Sequence, residues 1–320
     1  MKIVIIGNNK FEDFVYIKFL HNILTPVIEN HSLSLLVILL NSEDQETPIL
    51  PENNAIELVK LGHRNYLQFY SQFKSQQYDA IIDFSGELFG PLLCLKKKRP
   101  LLFSTASIRS VLGLHPKSTS LAKMPDLKVF ISEVTLAIGE KLDLSHKFYS
   151  IDQSTVEEEI KLINWSLNTT LDLLNNNYIL IYYHMRSSQW QELEQLIERI
   201  KSTFNIKILV LLEQVSESDI HIKRKQSRIL ISKDVFINSI AISNFNHVSL
   251  ALWKAQFVIS NKKSFCMASS YFDQQVFFMS KKNHFGVIQN TFRKAYISKI
   301  VSEIRIDELI FILKKKLLFK

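Results

Sequence analysis

Glycine is scarce in this 320-residue chain: seven residues in all, about 2% where soluble proteins average ~7%. A function needing several glycine-rich phosphate loops is nearly excluded by that count. Cysteine is scarcer still, with only Cys94 and Cys266. Two thiols cannot build a disulfide scaffold or a cysteine-rich metal site, and they suit a reducing compartment. No His-x-x-x-His or Cys-x-x-Cys spacing occurs, so no metal is expected, and no other cofactor is implied. Ser85-Gly86 lies outside any Gly-x-Ser-x-Gly elbow, which leaves a hydrolase triad unsupported. Long apolar runs are also missing. Leu33 to Leu40 is among the longest, at about 8 residues, against the ~20 needed to span a bilayer.

The opening Met-Lys-Ile-Val-Ile-Ile-Gly is followed at once by Asn8, Asn9, Lys10, Glu12 and Asp13. A signal peptide needs a longer apolar stretch and a small-residue cleavage site. The expectation is a cytoplasmic protein. Two basic clusters, Lys96-Lys97-Lys98-Arg99 and Lys314-Lys315-Lys316, offer peripheral contact with an anionic membrane face, or are simply solvated charge.

Hydrophobic residues make up 47% and charged residues 22%, an ordinary globular composition. The length allows two or three domains with a sizeable core. Lys and Arg outnumber Asp and Glu by 39 to 31, a net +8, which favours anionic partners such as nucleotides, phosphorylated glycans or acidic lipid. Nucleic acid is not among the expected partners.

Residues 2–6, Lys-Ile-Val-Ile-Ile, read as a buried parallel strand, because the run is continuous and β-branched. Phe11 to Leu24 carries apolar residues at helical spacing and is expected to end before Pro26. Further strands are expected at 34–40, 78–84, 101–104 and near 128–130. Helices are expected at 55–61, 66–73, 132–141 and 154–174. A second strand–helix series starts at Tyr178. It has strands at 178–183, 206–212, 229–231, 236–242, 257–259 and 276–279. Its helices are 187–204, 248–255, one starting at 264, and 305–318. This alternation predicts two doubly wound, Rossmann-like parallel sheets, divided near 165/166. Ligands of such sheets bind at the carboxyl ends of the strands, so a cleft between the halves is the expected site.

Four segments carry a resemblance. The opening Met1 to Val15 resembles the first strand, loop and helix of bacterial heptosyltransferases, where the loop ends Gly-Asp. Tyr78-Asp79-Ala80-Ile81-Ile82-Asp83 resembles the family's Tyr-Asp-apolar-apolar-Ile-Asp strand. Val210-Leu211-Leu212 through Glu217 sits where the family has a strand, a glycine-rich turn and a glutamate. Leu250 to Asn261 resembles the stretch leading into the donor motif Asn-Asp-Ser-Gly-x-x-His. The resemblance implies glycosyltransferase family 9 and a GT-B-like fold of two facing domains. Residues 1–165 would bind the acceptor. Residues 166–320 would bind the nucleotide-sugar and include a closing C-terminal helix. It also implies metal-independent, inverting transfer of a heptose-like sugar to a lipopolysaccharide or other glycan, with a glycan or lipid-linked glycan as the acceptor partner.

The departures are specific. The donor motif is replaced by Lys262, Lys263, Ser264, Phe265, Cys266 and Met267, without the acid, the glycine or the histidine. The turn before Glu217 reads Glu213-Gln214-Val215-Ser216, and Glu12 stands where the family has glycine.

By that resemblance Asp13 is the catalytic base; read by itself it is a carboxylate in a helix's first turn. Donor binding is assigned to Arg186, Glu217, Asn261, Lys262, Lys263 and Ser264. Of these, Lys262 and Lys263 lie on a strand-exit loop where cations meet phosphate. Arg186, Glu217 and the lysine pair also read as surface charge. Asp83 and His184, each ending a strand, read first as structural groups. A non-catalytic relative that kept the fold and lost the donor site is the second reading. A nucleotide-binding protein of another doubly wound class is disfavoured, because Gly7 opens no Gly-x-Gly-x-x-Gly.

Overall fold

The structure is a computed structural model, described here for residues 1–8, 10–30, 33–40, 56–62, 66–85, 89–93, 101–104, 118–120, 177–185, 189–213, 215–240, 245–272, 274–290 and 298–318. The chain forms two compact units. The expected boundary at 165/166 lies outside the described residues, as do the expected strand at 128–130 and helices at 132–141 and 154–174.

In the first unit the order is β1 (Lys2–Asn8), α1 (Phe11–Asn30), β2 (Ser34–Leu40), β3 (Ile56–Leu61), α2 (Tyr66–Ser75), β4 (Ala80–Asp83), α3 (Phe89–Leu93), β5 (Leu101–Ser104) and β6 (Ser118–Ser120). The six strands form one sheet in the order β3-β2-β1-β4-β5-β6. Every pairing is parallel. A parallel central strand is covered on both faces, which is why β1 and β2 are continuous apolar runs. Val4, Ile6, Leu36, Ile38, Ile81, Leu61 and Phe73 form one buried cluster on this sheet. Phe14, Val15, Ile17 and Leu20 bury the inner side of α1, which packs on β1 and β2.

Two expectations are corrected here. Residues 56–61 are a strand, not a helix. Ile-Glu-Leu-Val-Lys-Leu pairs in register with Leu35–Leu40, and sheet pairing outweighs weak local helix propensity. Helix α1 also continues past Pro26 to Asn30. The Thr25 hydroxyl donates to the His21 carbonyl at 2.8 Å, so a carbonyl one residue from the proline's lost bond has a side-chain donor. The short elements α3 and β6 carry no sequence periodicity and were not expected.

The second unit runs β7 (Tyr178–His184), α4 (Trp190–Lys201), β8 (Lys207–Glu213), α5 (Glu217–Gln226), β9 (Val235–Ile240), α6 (Phe245–Lys254), β10 (Phe257–Ser260), α7 (Lys263–Ser269) with a 3-10 turn (Ser270–Phe272), β11 (Gln275–Lys281), β12 (His284–Asn290), β13 (Ser298–Arg305) and α8 (Ile306–Leu318). The sheet order is β13-β12-β11-β10-β7-β8-β9. Strands β7 to β11 pair in parallel, whereas β12 and β13 are antiparallel additions. The doubly wound parallel sheet expected here is present, with these two strands added at its edge. The tight β11–β12 turn, with Asn283 at φ 59°, leaves no room for a crossover helix and forces an antiparallel return. Residues 229–231 form a turn rather than a strand, because Ser227 to Asp234 is the connection into β9. Leu193, Leu196, Ile197 and Ile200 form the buried stripe of α4, each stabilising by roughly 1.5–3 kcal/mol. Tyr182 on β7 stacks on Phe265 of α7, with centroids 3.6 Å apart. No helix among the described residues is long and apolar enough to cross a membrane.

Candidate functional site

Each sheet reverses its winding direction once within its parallel part. In the first unit the reversal lies between β1 and β4, and adjacent loops part there to leave a crevice at the carboxyl ends. Two carboxylates stand at that point. Asp83 ends β4 and is fully buried. Its Oδ1 accepts from the Ser85 amide at 2.9 Å and the Ser85 hydroxyl at 2.5 Å, and its Oδ2 accepts from the Gly90 amide at 3.2 Å. Gly90 permits that approach, since a Cβ there would collide with the Asp83 carboxylate itself. Asp83 is thus committed to holding the turn after β4 and the first turn of α3.

Asp13 lies in the first turn of α1 and is 7% exposed. Its Oδ2 accepts from the Asn8 amide at the end of β1, at 2.8 Å. Burial pushes its carboxyl up to about 8; the Asn8 amide and Lys10 oppose this, while Glu12 and Asp83 add to it. Gly7 sits beneath, where a Cβ would lie 2.6 Å from Ile17 Cδ1 and 3.3 Å from Asp13 Cβ. Its missing side chain lets α1 settle on the end of β1. The result is a buried acid that holds a proton near neutrality, a common condition for proton-transfer groups.

In the second unit the reversal lies between β10 and β7. Glu213, at the end of β8, has only 3% of its side chain exposed. Its carboxylate accepts from Lys262 Nζ at 3.0 and 3.1 Å and bonds His184 Nδ1 at 2.9 Å. Burial pushes the Glu213 carboxyl up, but the Lys262 ammonium and the bonds from His184 and Lys262 outweigh it and hold it below the usual range. Asn261 straddles the reversal itself. Its Oδ1 accepts from the His184 amide at 2.8 Å, and its Nδ2 donates to the His184 carbonyl at 2.9 Å.

The residues expected from sequence are distributed as follows. Asp13 lies at the first reversal. Asn261 and Lys262 lie at the second, Asn261 tied to backbone and Lys262 to Glu213. Lys263 and Ser264 open α7 and are exposed. Glu217 opens α5 rather than sitting in a loop. Ser216 caps that helix, its hydroxyl accepting from the Asp219 amide at 3.1 Å. Arg186 lies outside the described residues. The group missed as a site residue is Glu213. Its signal was the one Asp83 also carried: a carboxylate directly after a continuous apolar strand, Ile208 to Leu212.

No protein family matches the sequence, and no curated protein matches it. Solved structures do match in shape. The E. coli heptosyltransferase WaaC with ADP-2-deoxy-2-fluoro heptose superposes with a TM-score of 0.52 at 13% identity, over 86% of this chain and 87% of that one. E. coli ADP-heptose lps heptosyltransferase II gives 0.50 at 11% identity, over 86% and 83%. A glycosyl transferase family 9 protein from Veillonella parvula gives 0.53 at 12% identity, over 86% and 79%. At such identities the likeness is one of fold. The two α/β units, each a mainly parallel sheet wound in both directions, are the GT-B-like fold of the heptosyltransferases.

Proposed function

We propose that the chain is an inverting glycosyltransferase of heptosyltransferase type, with Asp13 as its catalytic base. The observation that carries this reading is the Asp13 carboxylate: buried, at the reversal of the first sheet, and raised to about 8. A buried acid of this kind destabilises the fold, and proteins tolerate that mostly where function needs it. The fold shared with three solved glycosyltransferases supports sugar transfer as the reaction class.

In this reading the acceptor hydroxyl gives its proton to ionised Asp13 as its oxygen attacks the anomeric carbon. The bond to the donor diphosphate breaks, and its electron pair leaves on the diphosphate oxygen. One displacement inverts the centre. The first domain would carry the acceptor, a glycan or lipid-linked glycan, and the second the nucleotide-sugar. Arg186, Lys263 and Ser264 would meet the diphosphate by charge and hydrogen bonding, Glu217 the nucleoside, and Asn261 and Lys262 would shape the donor floor. The net positive charge suits an acidic acceptor and contact with an anionic membrane face.

A second reading, a binding or assembly partner without catalysis, is favoured by one observation. The Lys262 ammonium is bonded to Glu213, and so is drawn toward a carboxylate instead of an incoming phosphate.

A thermal-shift screen of the full chain against nucleotides and nucleotide-sugars, followed by a transfer assay with any donor found, separates the two. A ligand at 100 times its Kd stabilises by about 2.7 kcal/mol. The transferase reading expects a selective shift, and expects Asp13→Asn to keep donor binding while losing transfer by ~10²-fold or more. A well-folded chain that no nucleotide-sugar shifts favours the non-catalytic partner.

A further inference from the structure

The second sheet holds a histidine whose presentation is fixed from both sides. The backbone of His184 is clamped by Asn261, through bonds of 2.8 and 2.9 Å to its amide and carbonyl. Its ring is held by Glu213, whose Oε2 lies 2.9 Å from Nδ1. A carboxylate held below its usual range is an acceptor, so Nδ1 carries the proton. The other ring nitrogen, Nε2, bonds no described residue, and 27% of the side chain is exposed. It stands at the carboxyl end of β7, beside the reversal where such sheets bind ligands.

Among the described residues, the charged groups around the ring are Glu213, from β8, and Lys262, from the turn after β10. Glu192 of α4 is engaged elsewhere, accepting from the Tyr183 hydroxyl at 3.1 Å. Glu213 and Lys262 cancel. A neutral His184 with its proton on Nδ1 presents only a lone pair at Nε2, which repels a phosphate oxygen. An imidazolium presents a donor and one net positive charge.

We propose that His184 joins the residues that contact the donor diphosphate, that it does so as an imidazolium taking up a proton on Nε2 when the anion binds, and that Glu213 is the residue positioning it. This rests on the transferase reading. The proton comes from solvent and stays on the ring while the diphosphate is bound. When the sugar bond breaks, Nε2–H donates a hydrogen bond to the oxygen that receives the electron pair, and no further proton need move.

The test is isothermal calorimetry on the full chain with ADP and UDP as probes, from pH 6 to 9, in buffers of different ionisation enthalpy. The expected result is binding that weakens at least tenfold across that range. Proton uptake should exceed that of His184→Gln by close to one per nucleotide at the alkaline end of measurable binding. His184→Gln should bind at least tenfold more weakly at pH 6 and nearly as the parent does at pH 9. Glu213→Gln, which keeps an acceptor for Nδ1 but not the charge, should move the fall in affinity to lower pH. A merely structural Glu213 would lower affinity equally at every pH. Binding whose proton uptake and pH dependence are unchanged in His184→Gln overturns this inference and leaves the transferase reading standing. If neither the probes nor any nucleotide-sugar binds a well-folded chain, both readings fall together.

Discussion

Asn261 closes the reversal of the second sheet by gripping one residue twice: its carboxamide accepts from the His184 amide and donates to the His184 carbonyl. The two strands concerned, β7 and β10, are ladder neighbours through Tyr182 and Ser260. Asn261 extends their pairing by one side-chain step past the last backbone bond. An asparagine is suited to this, since its amide offers donor and acceptor at the spacing of a peptide group.

Asn261→Ala should therefore cost about 1–2 kcal/mol, the scale for losing two part-buried hydrogen bonds to the backbone. Asn261→Asp should cost a similar amount, since it keeps the acceptor and sets a carboxylate against the His184 carbonyl. Urea denaturation at neutral pH measures both. A midpoint unchanged in either variant would show that backbone pairing alone holds the reversal.

Lys262 and Glu213 are held together by charge and two hydrogen bonds, against the desolvation of a nearly buried carboxylate. With Lys262→Met, the Glu213 carboxylate keeps only His184 as a partner, and the cost at pH 7 should be roughly 3–5 kcal/mol, typical of breaking a buried pair from one side. The pH dependence should also change sign. In the parent, Glu213 is held below its usual 4.5, so its contribution is present above that value and is lost as pH falls through the folded value. Without the ammonium, burial dominates and raises the folded value. Stability then falls as pH rises above about 4.5. Melting temperatures from pH 3 to 7 for both chains resolve the two slopes.

Asp13→Asn should stabilise the protein. The folded carboxyl titrates at about 8 and the unfolded one near 3.8. Between those values the folded state keeps a proton that the unfolded state has lost, so stability falls as pH rises from about 4 to about 8. The asparagine variant lacks that fall. Its advantage should be near zero at pH 4 and reach ~2–5 kcal/mol at pH 9, with Asn8 still bonded to the side-chain oxygen. Equal pH profiles for the two chains would mean that Asp13 ionises normally. In the transferase reading, transfer by the parent at saturating donor should correspondingly rise with pH and level off above about 8, because only the ionised base accepts the acceptor's proton.

Gly90→Ala places a methyl group against the Asp83 carboxylate. The fully buried acid must then shift, weakening its bonds to the Ser85 amide and hydroxyl as well as to Gly90. A loss of about 1–3 kcal/mol is expected, the usual scale for overpacking. Asp83→Asn should be less well tolerated than Asp13→Asn, because one of its side-chain groups becomes a donor facing backbone amides. Thermal unfolding of the three variants orders them.

Much of the fold is legible in the sequence. Continuous apolar runs such as Ile3–Ile6, Leu35–Leu40 and Ile208–Leu212 can be little else than central parallel strands, since only a sheet covered on both faces accepts apolar side chains on both sides. The stripe of Leu193, Leu196, Ile197 and Ile200 states a helix with one buried face. The order of these elements fixes two doubly wound halves, and the scarcity of glycine and cysteine excludes whole classes of site. Asp13, after the first strand and at the start of the first helix, is placed by local sequence alone.

The tertiary structure decided what depends on partners distant in sequence. Residues 56–61 are a strand because Leu35–Leu40 lies beside them, and β12 and β13 return antiparallel because a tight turn leaves no length for a helix. Lys262 reads as a cation for phosphate until Glu213, forty-nine positions away, is folded against it. His184 reads as a solitary histidine until Glu213 and Asn261 fix its ring and its backbone. Periodicity reports which face of an element is buried, because that follows from neighbours three or four residues away. It cannot report which charge meets which, because that is settled only when separate strand ends are brought to one edge of a sheet.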